Sequence, residues 1–557
     1  MKVLLSWLKD YIDINETPER IADALNMSGL EVEEIIQPGK NLNNVVVGKI
    51  LSRDPHPDAE KLSLCSVDVN RGQSLQIVCG ANNMKAGDKV PVALIGARLP
   101  SGFEISKAKI RGIESSGMMC SKKELGISEE HGGLYILDEN TEIGQNIVNA
   151  LNLDDVIFEI SVTPNRGDAL SHLGIARELS AIFNLPLHRD PLGDEDGEGH
   201  VAEQVAVEIH DNDLCPRYGA RLVHGVKVGP SPDWLKERLE KAGIRSINNV
   251  VDVTNYIMLD IGHPMHAFDY AKLAGKKIVV RSAGKDEKIV TLDNAERNLD
   301  SSMLVIADAE KPVAVAGVMG GLHSSVTDGT TSVLLEAAFF NPTSVRKTSK
   351  RLALMSDSSY RFERGTNIDN VPIALNEAAR LLKQIAGGNP VKGIADAYPK
   401  PEILRQIKVR TRRVNRVIGI NLSPVQIETL LLRLKIDTRR DGEDLIVSVP
   451  PYRHDLSIEA DIIEEVARMY GYNNIPTTLP AITSVLQLPT PLQKMEKRPR
   501  DHFVSCGFNE IMTYSFIPAA IDECFREKKP LMLQNPLSED LSAMRTSLKW
   551  GMFDALK

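Results

Sequence analysis

Apolar positions along this chain switch rhythm several times, and each switch marks a module. Residues 1 to about 40 follow a helical spacing, with Ile21, Ala24, Leu25 and Ser28 after the helix start Thr17-Pro18. From Val45 the spacing shortens: VVVGKIL, LSLCSVDV, SLQIVCG and KVPVALIG are β-rich runs broken by Gly, Asn, Asp and Pro, and five or so such strands fit a small barrel. TPNRGDALSHLGIARELSAIF then predicts a turn and a helix with Leu173, Ala176, Leu179 and Ile182 on its apolar face, packed on the N-terminal helical segment. The acidic, glycine-rich PLGDEDGEGH from Pro191 to His200 reads as a linker. Mixed α/β patterning follows to about residue 395, and a second boundary falls within AYPKPE, Ala397 to Glu402. Beyond it, Ser423-Pro424-Val425-Gln426 supplies an N-cap, a proline at the first helical position and a capping-box glutamine. Ile427, Leu430, Leu431 and Leu434 form the buried stripe behind them.

Composition narrows the class without naming it. With 557 residues the chain divides into several domains, and 42% hydrophobic with 25% charged residues is the make-up of an ordinary soluble globular protein. No stretch reads as a membrane span, and Ser6-Trp7-Leu8-Lys9-Asp10 brings charge too early for a secretory h-region, so a cytoplasmic N-terminus is expected. Six scattered cysteines without CxxC or Cys/His spacing predict reduced, structural thiols and no zinc site. A net charge of -9 argues against nonspecific nucleic-acid binding over the whole surface. A local excess survives inside that total: between Arg405 and Arg440 stand ten Lys/Arg against two Asp/Glu, with Arg410, Arg412, Arg413 and Arg416 crowded together. Such a segment serves equally as a phosphate-contacting surface or as solvated charge beside a neighbouring domain.

The densest chemistry lies between Gly243 and Gly365, in GIRSINNVVDVTNY, HPMHAFD, VAGVMGGLHSSV, LLEAAFFNP and SDSSYRFERG. Glu336, set between apolar runs, is costly to bury unless it meets a specific partner, which predicts a polar-lined pocket. Read alone, each histidine here is more often a hydrogen-bonded structural residue. The same words in this order closely resemble the B3/B4 region of the bacterial phenylalanyl-tRNA synthetase beta-subunit family, an editing site that hydrolyses tyrosine mischarged onto phenylalanine tRNA. The resemblance implies that Glu336 recognises the tyrosine hydroxyl and that His266 helps place water or the terminal ribose. It places Arg245 at the acceptor end of the tRNA, while Gly320 and Gly321 allow close backbone approach and offer N–H donors. Ser356 stands where the family usually has threonine, keeping the hydroxyl and losing the methyl. His263 is a supporting candidate. The chemistry is coherent: an apolar pocket cannot strongly reject an added hydroxyl, so a second site must reward the phenol and supply a positioned water and oxyanion stabilisation.

Two further segments carry resemblances. HPDAEKLSLCSVDV, IVCGANNMKAGDKVPVALIGARLP and KAKIRGIESSGMMCSKKELGI resemble an OB-fold tRNA-binding domain, which implies that Lys107, Lys109, Arg111, Lys122 and Lys123 are nucleic-acid contacts, although the segment has few aromatic residues for stacking. In PPYRHDLSIEADIIEEVARMYGY, Asp461, Glu464 and Glu465 fall at i, i+3 and i+4 of a helix with Asp455 one loop upstream. On spacing alone an acidic helix face is the commoner reading. The segment also resembles the end of the family's B5 domain, which implies that these four carboxylates bind Mg2+.

From about 480, GFNEIMTYSFI and LQNPLSEDLSAMRTSLKWGMFDALK resemble the start of the family's class II synthetase-like module, which packs on the alpha subunit and lacks the synthetic site. ATP is then used at the alpha subunit, in an alpha2beta2 assembly that binds tRNA(Phe). The expected organisation is an α+β multidomain chain: a split helical N-terminal domain (1–40 and 154–190), an OB-fold β-barrel inserted in it (41–153), a mixed α/β B3/B4 editing domain (201–396), a small basic B5 domain (402–477) and the truncated start of the catalytic-like module (480–557). Competing readings are an RNA-binding or assembly subunit with an inactive editing pocket, and a metal hydrolase built on the four carboxylates.

Overall fold

The computed structural model describes residues 1–127, 132–188, 197, 199–479, 488–525 and 529–556. These fall into two compact units, Met1–Pro476 and Thr477–Lys557. Most of the predicted 191–200 linker and the start of the last module lie outside the described residues.

The first unit contains the expected helix, Pro18–Met27, whose Thr17 cap side chain accepts from Arg20 N. The N-terminal segment is not purely helical, however. Strands Lys2–Leu4, Ile157–Ser161 and Glu31–Ile36 form a three-stranded antiparallel sheet in that order. Strands this short give too few alternations to register as period two. The helix His172–Phe183 packs behind with Leu173, Ala176 and Leu179 buried. Between these parts sits a five-stranded antiparallel sheet ordered Leu75–Cys79, Ala59–Asp68, Val45–His56, Lys89–Leu94, Gly117–Met119. Val45 and Val47 enter one core while Val46 and Ile50 enter another, so its longest strand is apolar on both faces where it begins.

The body that follows stacks two sheets. One runs Met265–Asp269, Ser332–Phe339, Arg217–His224, Asn389–Pro390, with Ala395–Ala397 also pairing to Arg217–His224. The other runs Ala206–Ile209, Lys277–Ser282, Leu304–Ala307, Pro312–Val315, Met319–Gly320. Alternation along Ser332–Phe339 decides which side chain faces what. Val333, Leu335 and Ala337 pack on the helices Asn249–Ile261 and Asn370–Ala386. Leu334 and Ala338 pack into the core between the sheets, and Glu336, at the even position between them, is carried to that same side.

A smaller α/β module closes the unit: the sheet Gln406–Val409, Asp444–Ser448, Asp437–Asp441 with helices Thr411–Ile418, Pro424–Arg433 and Glu459–Tyr470. The predicted capping box is present, with Ser423 Oγ accepting from Gln426 N and the Gln426 side chain accepting from Ser423 N. The second unit contains the helix Pro491–Ser505, the strand pair Phe516–Ile517 with Ala543–Met544, and the helices Ala519–Phe525 and Lys549–Asp554.

Candidate editing site

Glu336 stands directly opposite His266 on one neighbouring strand and Ala220 on the other. Both polar groups line one cavity of about 50 Å³ together with Met265, Met319, Gly320, Phe340, Ser358 and Phe362. That space holds a few waters and lies below the ~150 Å³ that accommodates a benzene ring, so an aromatic ligand enters by displacing side chains at its wall. Half-buried Met265 and Met319 are the flexible candidates for that movement.

Burial sets the protonation of both groups. Glu336 is 6% exposed, and desolvation pushes its carboxyl up to about 8, so at neutral pH in the empty pocket it carries its proton. The buried carboxyl therefore needs no counter-charge in order to be tolerated between the apolar runs. Desolvation pushes the His266 imidazole down to about 4, making it a neutral base at physiological pH. The ring is half-buried, yet its Nε2 is fully shielded and has no partner among the described residues. A Cβ on Gly320 would collide with the His266 ring, 2.6 Å from Nε2, so only glycine lets the strand Met319–Gly320 pass beneath the imidazole.

The other expected residues are placed differently. Ser356 is a helix cap: its Oγ accepts from Ser359 N at 3.1 Å and donates to Val318 O at 2.6 Å, tying the helix Asp357–Phe362 to the cavity wall. Ser358, which no sequence signal singled out, lines the cavity instead. Arg245 does not line it; it is exposed on the loop before Asn249–Ile261. That helix of 13 residues, about 20 Å long, ends close to His266, so Arg245 stands near its opposite end. His263 is fully buried edge-on to Phe362, and burial pushes its imidazole down to about 3 against a weaker upward pull from the Ala338 backbone.

The four carboxylates expected to hold Mg2+ do not converge. Asp455 takes two hydrogen bonds from Arg453, and buried Glu465 accepts from Arg453 and Arg468. Asp461 folds back onto Ser457 N and Ile458 N, while Glu464 is exposed, one residue and about 100° of helix away from Glu465. Arg468 also reaches Glu178 on His172–Phe183, and Arg166 pairs with Glu178 and Asp168, so arginines already neutralise this cluster. Among the described residues no group of three or more His, Cys, Asp or Glu side chains is arranged for a metal ion. As placed, these carboxylates meet arginine and backbone donors and do not fit the ion.

Of the cations expected to contact nucleic acid, Lys107 pairs with Glu114 and Lys122 lies over the Tyr135 ring. Arg111 occupies a left-handed turn position at φ 48°, at the tip of the hairpin Ala108–Ile110/Ile113–Ser115. In the basic module Arg410 and Arg413 pair with Glu459, Arg440 with Glu428 and Lys408 with Asp441. Much of the charge excess read from the sequence is thus paired with acidic groups of the same module. No described helix is long and apolar enough to cross a membrane.

Comparison with known proteins agrees with this layout. Family models match for a putative tRNA binding domain over residues 45–146, the B3/4 domain over 214–387, the tRNA synthetase B5 domain over 407–472 and the phenylalanyl tRNA synthetase beta chain CLM domain over 475–557. The phenylalanine–tRNA ligase beta subunit of Syntrophotalea carbinolica is 46% identical across 98% of this chain and 69% of its own length. Those of Geobacter metallireducens and Moorella thermoacetica are each 46% identical across 100% of this chain and 70% of theirs. With relatives this similar over its whole span, the chain belongs to the phenylalanine–tRNA ligase beta-subunit family.

Proposed function

We propose that this chain binds tRNA and hydrolyses tyrosine mischarged onto tRNA(Phe) in the cavity shared by His266 and Glu336, while its second unit docks the alpha subunit that activates phenylalanine with ATP. The observation that carries the reading is a neutral buried acid opposite a neutral unpartnered imidazole in one cavity. Glu336 has the character to bind a phenol: as an acid it accepts through its carbonyl oxygen, and once ionised it accepts in a charge-assisted bond. His266, held neutral, offers its unprotonated ring nitrogen as a hydrogen-bond acceptor and so positions the attacking water or the terminal ribose at the ester carbonyl. Gly320 keeps the imidazole in place, and the Ser356 cap holds the adjoining wall.

In this reading residues 41–153 form an OB-fold whose exposed Lys109 and Arg111 are better phosphate contacts than the paired Lys107. Residues 1–40 with 154–190, 201–396, 402–477 and 480–557 correspond to the family's remaining modules, the last being the start of a class II synthetase-like fold in an alpha2beta2 enzyme of the cytoplasm. Arg245, exposed and distant from the cavity, suits contact with the tRNA body. The test is deacylation of Tyr-tRNA(Phe) and Phe-tRNA(Phe) by the assembled alpha-beta enzyme. Rapid, tyrosine-selective hydrolysis is expected, and its absence would favour the RNA-binding subunit with an inactive pocket. ATP–pyrophosphate exchange by the beta chain alone would overturn the division of labour.

A further inference from the structure

Tyr218 is fully buried in the core between the two sheets, and its hydroxyl has no hydrogen-bond partner among the described residues. A phenylalanine would fill the same space without burying an unmatched polar group. Register places this orphan beside the cavity's acid: Tyr218 opposes Ala338, and Ala220 opposes Glu336, so Tyr218 lies diagonal to Glu336 on the same sheet face. That diagonal is within reach of an aromatic side chain. Glu336 is also the leading charge acting on the Tyr218 phenol, whose pKa burial pushes well above its usual range.

The other groups around Glu336 offer it little. The Cys215 thiol is directed to Arg217 O, and His266 faces Glu336 from the strand on the opposite side. The second sheet contributes only Ile306, Ala314, Val315, Met319 and Gly320 to the cavity, none of them titratable. Burial is the cause of the raised Glu336 pKa, with no cation to oppose it. Once Glu336 is ionised, a tyrosyl phenol donating to one carboxylate oxygen leaves the other in need of a donor.

We infer that Tyr218 is a positioning residue of the editing pocket, giving Glu336 a second hydrogen bond when a tyrosyl group enters and thereby setting the preference for tyrosine over phenylalanine. This rests on Glu336 being the acceptor for the substrate phenol. The substitution Tyr218→Phe removes one oxygen and keeps the packing. In the assembled alpha-beta enzyme it is expected to lower the kcat/KM preference for Tyr-tRNA over Phe-tRNA about tenfold, the worth of one hydrogen bond. Phe-tRNA hydrolysis should hold steady, the pH at which the preference develops should move upward, and the melting temperature should stay level or rise. In Tyr218→Phe/Glu336→Gln the loss should not exceed that of Glu336→Gln alone. An unchanged preference and pH profile in Tyr218→Phe, with Glu336→Gln abolishing the preference, overturns the positioning role and leaves the Glu336 reading standing. An unchanged preference in Glu336→Gln overturns both.

Discussion

Glu336 and His266 face each other across adjacent strands, one holding a proton that burial will not release and the other refusing one that burial will not admit. In the proposed function their opposite shifts divide the work of the cavity, with the acid meeting the substrate ring and the imidazole meeting water.

Glu336→Ala is expected to narrow discrimination and His266→Ala to slow hydrolysis. Above the pH at which Glu336 ionises, its bond to the phenol is worth roughly 1.5 to 3 kcal/mol, so its loss should there cut the tyrosine preference by about one to two powers of ten. His266→Ala should lower kcat for both esters and keep their ratio. Single-turnover deacylation of both esters by each variant decides it, and an equal slowing of the two by Glu336→Ala would remove the recognition role.

Stability should depend on pH in opposite directions at the two residues. The Glu336 carboxyl rises from 4.5 to about 8 on folding, so its cost is absent below about 4.5 and grows as pH climbs to about 8. His266 falls from 6.5 to about 4, so its cost is absent above about 6.5 and grows as pH drops toward 4. Thermal melts should therefore show Glu336→Gln gaining on the parent at pH 8.5 more than at pH 5, and His266→Gln gaining at pH 4.5 more than at pH 7.

Gly320→Ala should abolish hydrolysis and leave tRNA binding intact. Its added methyl meets the imidazole ring, and the ring must move to make room. The check is a deacylation assay beside a filter-binding measurement; normal hydrolysis would mean that the His266 orientation does not matter.

Arg468→Met should destabilise the first unit by about 3 kcal/mol, because it strips Glu178 and Glu465 of a shared buried partner. Chelation of divalent ions should leave the melting temperature of the beta chain unchanged, since arginines neutralise Asp455 and Glu465. A chelator-sensitive melt would restore a metal at these carboxylates.

Ser356→Ala should lower stability by about 1 kcal/mol, the usual worth of a lost N-cap, and loosen the cavity wall at Val318. Ser356→Thr should recover both in melting and deacylation.

The sequence by itself determined the modules, because their rhythms are local: the Thr17 and Ser423 caps, the His172–Phe183 helix and the Glu459–Tyr470 helix follow from neighbours a few residues away. It also marked Glu336, since a carboxyl inside an apolar run is conspicuous wherever the chain folds, and Gly320 as a point of close approach. Tertiary structure decided the rest. Whether Asp455 and Glu465 meet a cation or an arginine depends on where Arg453 and Arg468 point, and Arg468 reaches Glu178, 290 residues earlier in the chain. Which serine enters the cavity turned on a helix cap, which claimed Ser356 and left Ser358 at the wall. The proton on Glu336 belongs to the fold alone: the strand's alternation aims that side chain between two sheets, and only packing by both removes the water that would have ionised it.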